Sequence, residues 1–155
     1  MSAVNHLTCF KAYDIREKLG EALNEEIVYR IGRATAQSQN AKTVAVGFDA
    51  RATSYSFAQA LAHGICDAGA DVLDIGLAGT EEMYAAVAEF NACAGIEVTA
   101  SHNPVDYNGM KIVGYGSQPL TGEEFKAIKE LAQDNRFVRA QQSGVVLNRK
   151  KVARS

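Results

Sequence analysis

The chain has 155 residues, with 16 Lys and Arg against 18 Asp and Glu, a net of −2 at neutral pH, and it is 47% hydrophobic and 22% charged. That balance is ordinary globular usage and excludes a disordered chain, which needs low hydrophobicity and high charge. With 13 Gly and 2 Pro it is neither collagen-like nor of low complexity, and its length suits one domain with a core large enough to fold without staples.

No apolar run approaches the roughly 18–20 residues of a membrane span. The start, Met1 to His6, has no basic segment followed by an apolar one, so it does not read as a secretory signal. Cys9, Cys66 and Cys93 are widely spaced and form no Cys-x-x-Cys pair, which points to free thiols in a reducing cytoplasm. His6, His63 and His102 lack metal-ligand spacing. Charge is uneven: residues 1–135 carry a net −8, whereas 136–155 carry +6 and no acid. That tail has one aromatic residue and no basic amphipathic stripe. It reads as a linker or the start of a second domain, not as a nucleic-acid-binding element.

In chain order, Thr8–Lys11 reads as a short strand entering a polar loop. Asn24 caps a helix with Glu25 and Glu26 in its first turn, and Ile27, Ile31, Ala34 and Ser38 share one face. Thr43–Phe48 is a buried-strand pattern. Ser54 is placed to cap a second helix with Phe57, Leu61 and Ile65 inward and a stop at Gly69. Asp71–Gly76 is a third strand, and Thr80 opens a third helix with Met83, Val87 and Phe90 inward. Ala94–Thr99 is a fourth strand, and Met110–Val113 follows the turn dipeptide Asn108-Gly109. Thr121-Gly122-Glu123-Glu124 is a capping box opening a last helix through about Gln133. Strands alternating with helices predict an α/β fold: a mixed, mostly parallel sheet with helices on both faces, three layers in a single domain of residues 1–135.

In such sheets chemistry collects at the carboxyl ends of the strands. Three loops there are unusually polar: Tyr13–Arg16, Asp49–Arg51 and Thr99–Pro104, with Lys111 a few residues on. Ser101 at a strand end offers an exposed hydroxyl, with His102 and Asn103 able to donate to an anion. Ser and Asn also build turns, which is the plainer reading of the same residues. Arg16 and Arg51 present forks that match phosphate, or pair with Asp14 and Asp49. Lys111 is either a solvated edge charge or an acid/base group. Gly-x-Ser-x-Gly is absent, which counts against a serine hydrolase, and so are both glycine-rich nucleotide motifs.

These loops resemble the α-D-phosphohexomutases, the phosphomannomutase/phosphoglucomutase family. Thr99-Ala100-Ser101-His102-Asn103-Pro104 is similar to the family's phosphoserine loop, and Asn108-Gly109-Met110-Lys111 to its continuation. Tyr13-Asp14-Ile15-Arg16 and Gly47-Phe48-Asp49-Ala50-Arg51 resemble two further signatures. The resemblance implies a phosphoryl group carried on Ser101 and exchanged with a hexose phosphate, mannose or glucose. It implies Lys111 as general acid/base and Arg16 and His102 on phosphate or in loop positioning. Tyr13, Arg51 and Asn103 are then expected in substrate or phosphate binding. Mg²⁺ is expected to bind Ser101 through its phosphate, with its other ligands outside this chain.

Two departures stand out. Glu17 follows Arg16 where the family usually has Gly, and no aspartate-rich metal loop or sugar-reading loop is present. The resemblance covers only the first of the family's four domains. The expected partners are therefore a phosphosugar and the remaining domains, with no nucleic acid and no membrane. Alone, the chain is expected to fold but to turn over negligibly. The alternative is a non-catalytic truncated domain serving as an interaction module.

Overall fold

A computed structural model describes residues 7–12 and 14–150; Tyr13, an expected site residue, lies outside the described residues, as does His6. The order is β1 (Ile15–Lys18), α1 (Glu25–Ser38), β2 (Thr43–Phe48), α2 (Ser54–Asp67), β3 (Asp71–Leu77), α3 (Thr80–Glu89), β4 (Ala94–Val98), β5 (Tyr107–Gly114), a 3₁₀ turn (Tyr115–Ser117), α4 (Gly122–Asp134) and β6 (Val146–Asn148). The six strands form one sheet ordered β1-β5-β4-β2-β3-β6. β2 runs parallel to β3 and β4, and β3 parallel to β6, whereas β5 is antiparallel to β4 and β1. The expected mixed, mostly parallel α/β sheet is what forms.

Two apolar layers sandwich it. Ile27 and Ile31 of α1, Phe57, Leu61 and Ile65 of α2 and Ile128 of α4 pack with Val44, Val46, Ile96, Met110 and Ile112 on one face. Met83, Ala86 and Val87 of α3 pack with Ala45, Leu73 and Val113 on the other. Strict alternation along β2 explains the split: Val44 and Val46 face one layer and Ala45 the opposite one. Each side chain of this size taken fully out of water contributes about 1.5–3 kcal/mol.

The helix starts follow local chemistry. Asn24 Oδ1 accepts the Ile27 N–H at 3.1 Å. Thr121 Oγ1 accepts the Glu124 N–H at 3.1 Å while Glu124 Oε1 accepts the Thr121 N–H at 2.8 Å, a reciprocal cap. At α2 the cap is Thr53 and Ser54 is the first helical residue. The Ser54 hydroxyl is drawn off the cap position by Asp49, to whose Oδ1 it donates at 2.6 Å.

Four expectations from local pattern change. The first strand is Ile15–Lys18, inside what reads as a polar loop, while only Phe10 of the expected strand forms a bridge, to Ile15. A single apolar residue in Ile15–Lys18 leaves no alternation to detect, and pairing with β5 makes the strand. Asn108-Gly109 is not a turn but lies within β5. The Asn108 side chain is satisfied there by Thr53 and Ser54 at 2.8 and 3.0 Å, and a Cβ on Gly109 would stand 1.9 Å from the Ile15 carbonyl oxygen, so only glycine admits β1 at this register. Phe90 is not inward but 36% exposed at the end of α3, with Arg149 5.9 Å over its ring. Within the basic segment, Val146–Asn148 joins the sheet edge beside Val72–Asp74 of β3. No helix of the described residues is long and apolar enough to cross a membrane.

Candidate active site

β2 and β4 are neighbours running the same way, so their carboxyl ends deliver two loops to one place: Asp49–Thr53 and the segment from Thr99 to Asp106. The Asp49 N–H donates to the Val98 carbonyl at 3.0 Å and ties the loops at their roots. Above that tie the Thr99 loop is a built turn. Thr99 Oγ1 accepts the Ser101 N–H at 3.0 Å, and the Asn103 N–H and side-chain amide both donate to the Ala100 carbonyl, at 3.0 and 2.8 Å. The turn chemistry of these residues and an exposed serine thus coexist: Thr99 and Asn103 make the turn, and it presents Ser101 and His102 to solvent. Ser101 has φ 55°, a left-handed conformation that costs an L-residue about 1–2 kcal/mol. Such strain persists where surrounding structure imposes it.

The imposing group is Arg51. Its Nη1 donates to the Pro104 and Tyr107 carbonyls at 2.7 and 3.1 Å, and its Nη2 to those of Ser101 and Asn103 at 3.0 and 2.5 Å. Asp49 steadies Arg51 from beneath, accepting its backbone N–H at 3.0 Å and lying 3.8 Å from its Nε. The fork expected on phosphate or on a carboxylate alone is turned onto four backbone oxygens.

Lys111 lies in β5 opposite Glu97, one residue beyond the Val98–Met110 pair that ends β4. Met110 and Ile112 are buried in the α1–α2 layer, so alternation sends Lys111 to the α3 face. There it is half-buried and lines a cleft of about 340 Å³ with Asp14, Tyr84 and Thr121. Arg16 pairs across β1 with Gly109, and its Nε stands 3.3 Å from Asp14 Oδ1. Glu17 does not compete for it: its carboxylate accepts from the Thr8 hydroxyl at 2.9 Å and the Lys18 N–H at 3.0 Å, which hold it below the usual carboxylate range. Glu17 is absent from the positive-φ residues, so β1 at this point has no need of glycine.

Sequence reasoning missed Glu97. Its side chain is fully buried with neither carboxyl oxygen hydrogen-bonded, and burial, with Asp49 and Glu82 adding repulsion, pushes it up to about 8. The detectable signal was an acid inside an apolar strand. It also missed Asn108, Thr53 and Ser54 as the struts joining β5 to α2; their partners are more than 50 residues away in sequence. Among the described residues no group of three or more His, Cys, Asp or Glu is placed to hold a metal ion. Near Ser101, Asp49 is engaged with Arg51 and Ser54, and Asp106 lies 3.7 Å from Lys18. A second cleft, of about 280 Å³, lies between β3, α3 and Arg149–Lys150 and does not touch the Ser101 loop.

The family model described as "Phosphoglucomutase/phosphomannomutase, alpha/beta/alpha domain I" matches residues 7–139. A phosphomannomutase of Escherichia coli strain K12 is 55% identical over 132 residues, 84% of this chain but 29% of that protein. A phosphomannomutase of Klebsiella pneumoniae is 54% identical over 135 residues, 86% of each chain. A crystal structure of a phosphoglucomutase/phosphomannomutase family protein of Burkholderia thailandensis superposes with a TM-score of 0.80 at 32% identity, covering 90% of this chain and 32% of that one. The chain thus spans about three-tenths of the length of the Escherichia coli relative and most of the Klebsiella one.

Proposed function

The chain belongs to the phosphoglucomutase/phosphomannomutase family, matching its domain I, and from that membership we propose that it is the phosphoryl-carrying domain of a phosphohexomutase. Ser101 Oγ carries the phosphoryl group. When a sugar hydroxyl attacks the phosphorus, the new P–O bond to the sugar forms as the bond to Ser101 breaks, and the hydroxyl proton is relayed by Lys111 to the departing Ser101 Oγ. In the return step the Ser101 hydroxyl takes up the other phosphoryl group as that group's bond to the sugar breaks, and Lys111 relays the serine proton to the sugar oxygen. Arg16 and His102 hold phosphate oxygens, Asn103 shapes the turn, and Tyr13 takes part in substrate binding. The phosphosugar is a hexose 1- or 6-phosphate.

Mg²⁺ fits this site at one ligand position only, an oxygen of a phosphoryl group on the exposed Ser101, since among the described residues no group of three or more His, Cys, Asp or Glu is placed to complete a shell. When bound it supplies positive charge that offsets phosphoryl charge during transfer.

The observation that carries this reading is an exposed, conformationally strained serine on a clamped loop at the strand ends, next to the strand that bears Lys111. Intact-mass measurement tests it. Incubation with a hexose 1,6-bisphosphate and Mg²⁺ should add one phosphoryl group, about 80 Da, on Ser101. Ser101→Ala should gain nothing. No gain by the parent chain, or equal gain by the variant, overturns the reading. Steady interconversion of mannose 1-phosphate should be absent with this chain alone, because positioning and charge stabilisation supply most of such catalysis. A steady-state assay showing sustained turnover would refute that prediction.

A further inference from the structure

We propose that Arg51 acts on a phosphoryl group at Ser101 through the peptide units it clamps, as a positioning residue and not as a phosphate ligand. The proposal rests on Ser101 being the phosphoryl carrier. A guanidinium has two hydrogens on each Nη, and here those nitrogens serve four carbonyls, of Pro104, Tyr107, Ser101 and Asn103. None is left for a phosphate oxygen, and Nε faces Asp49.

The clamp has a second consequence. The described chain has no cis peptide bond, and in a planar trans unit the N–H points opposite to the C=O. With the Ser101 carbonyl turned onto the guanidinium, the N–H of His102 is aimed the other way. The Pro104 carbonyl does the same for the N–H of Val105. Both residues are exposed, and neither N–H has an acceptor among the described residues. A cation at the carbonyl end polarises the unit and strengthens the donor at its far end. The charge of Arg51 is thereby relayed to the solvent side of the loop, where the phosphoryl group would sit. The same four bonds hold Ser101 in its left-handed conformation.

The relay favours the dianion of phosphoserine over the monoanion, so it is read in the second ionisation of that phosphate. Other charged groups lie on the loop and on the elements around it: His102 and Asp106 on it, Asp49 beneath it, Arg16 and Lys18 on β1, Glu97 on β4 and Lys111 on β5.

The test uses the whole chain with phosphoserine installed at position 101 during translation, followed by ³¹P NMR across pH. The phosphate should ionise at least about half a unit below the ordinary value of about 6. Arg51→Gln should return it to about 6. Arg51→Lys, which keeps the charge but cannot reach four carbonyls, should fail to restore the lowered value. Lys111→Ala removes any direct contribution of the ammonium, and the difference between Arg51 and its variants should persist in that background. A parent value of about 6 overturns the proposal, as does an equal lowering in all three proteins. Should neither variant fold, the parent's His102 amide decides: its ¹H–¹⁵N resonance should follow the phosphate titration, and a resonance that stays fixed overturns the proposal. Because the phosphate is installed independently, failure of the carrier reading appears separately, as no mass gain by the unmodified chain.

Discussion

Glu97 shows how one buried side chain ties stability to pH. In the unfolded chain its carboxyl titrates near the ordinary 4.5, and in the fold at about 8. The folded state therefore holds a proton that the unfolded state has released. The contribution of Glu97 is fully present below about 4.5 and is lost as pH rises through about 8. Each unit between those values removes about 1.4 kcal/mol, so the span amounts to roughly 4–5 kcal/mol at most. Glu97→Gln should abolish this loss. Urea unfolding at pH 5 and pH 9 should show the variant gaining on the parent protein at the higher pH, and a constant difference between them would contradict the assignment. Glu17 and Glu124 act in the opposite sense: backbone N–H donors hold both below the usual range, so their contribution is present at neutral pH and is lost in acid. Cys9 is fully buried and pushed up to about 12, which leaves it an inert thiol. Ser101 differs from all of these in being exposed, strained and held from behind by a charge.

At the scale of elements, the α1–α2 crossing depends on backbone approach. A Cβ on Gly64 would stand 2.2 Å from the Tyr29 carbonyl oxygen. Alanine is the better helix former by about 0.8–1 kcal/mol, but forcing the helices apart costs about 1–3 kcal/mol or more. Gly64→Ala should therefore destabilise by about 1–2 kcal/mol net, read as a lowered urea midpoint; an unchanged or raised midpoint would show that the helices separate freely. Thr121→Ala should cost about 1 kcal/mol through the lost cap of α4. The caps were legible because they are local. Asn24 and Thr121 bond to residues three positions on, and sequence spacing carries that information. Ser54 was misplaced by one residue because its hydroxyl answers Asp49, outside the helix.

For the molecule as a whole, β6 closes the sheet edge beside β3. The Val145 N–H donates to Asp71 Oδ1 at 2.9 Å, the Val72 N–H to the Val145 carbonyl at 2.9 Å, and the Arg149 N–H to the Asp74 carbonyl at 2.8 Å. Truncation before Gly144 should leave a folded protein with a melting point several degrees lower, about 4–8 °C per kcal/mol at small-domain size and about 2–4 °C for larger ones. An unchanged melt would mean the edge strand contributes nothing. The sequence by itself determined the alternation of strands and helices, the two apolar faces and the residues gathered at the strand ends. Hydrophobic period and capping act over a few residues, and the strongest segments, read as Thr43–Phe48 and Asp71–Gly76, needed nothing else. Only the tertiary structure decided that Ile15–Lys18 is a strand, that Asn108-Gly109 lies inside one, that Arg51 grips four carbonyls and that Val146–Asn148 finds β3. In each case the deciding partner lies far along the chain, and its contribution is a backbone group, which every residue carries and no residue type announces.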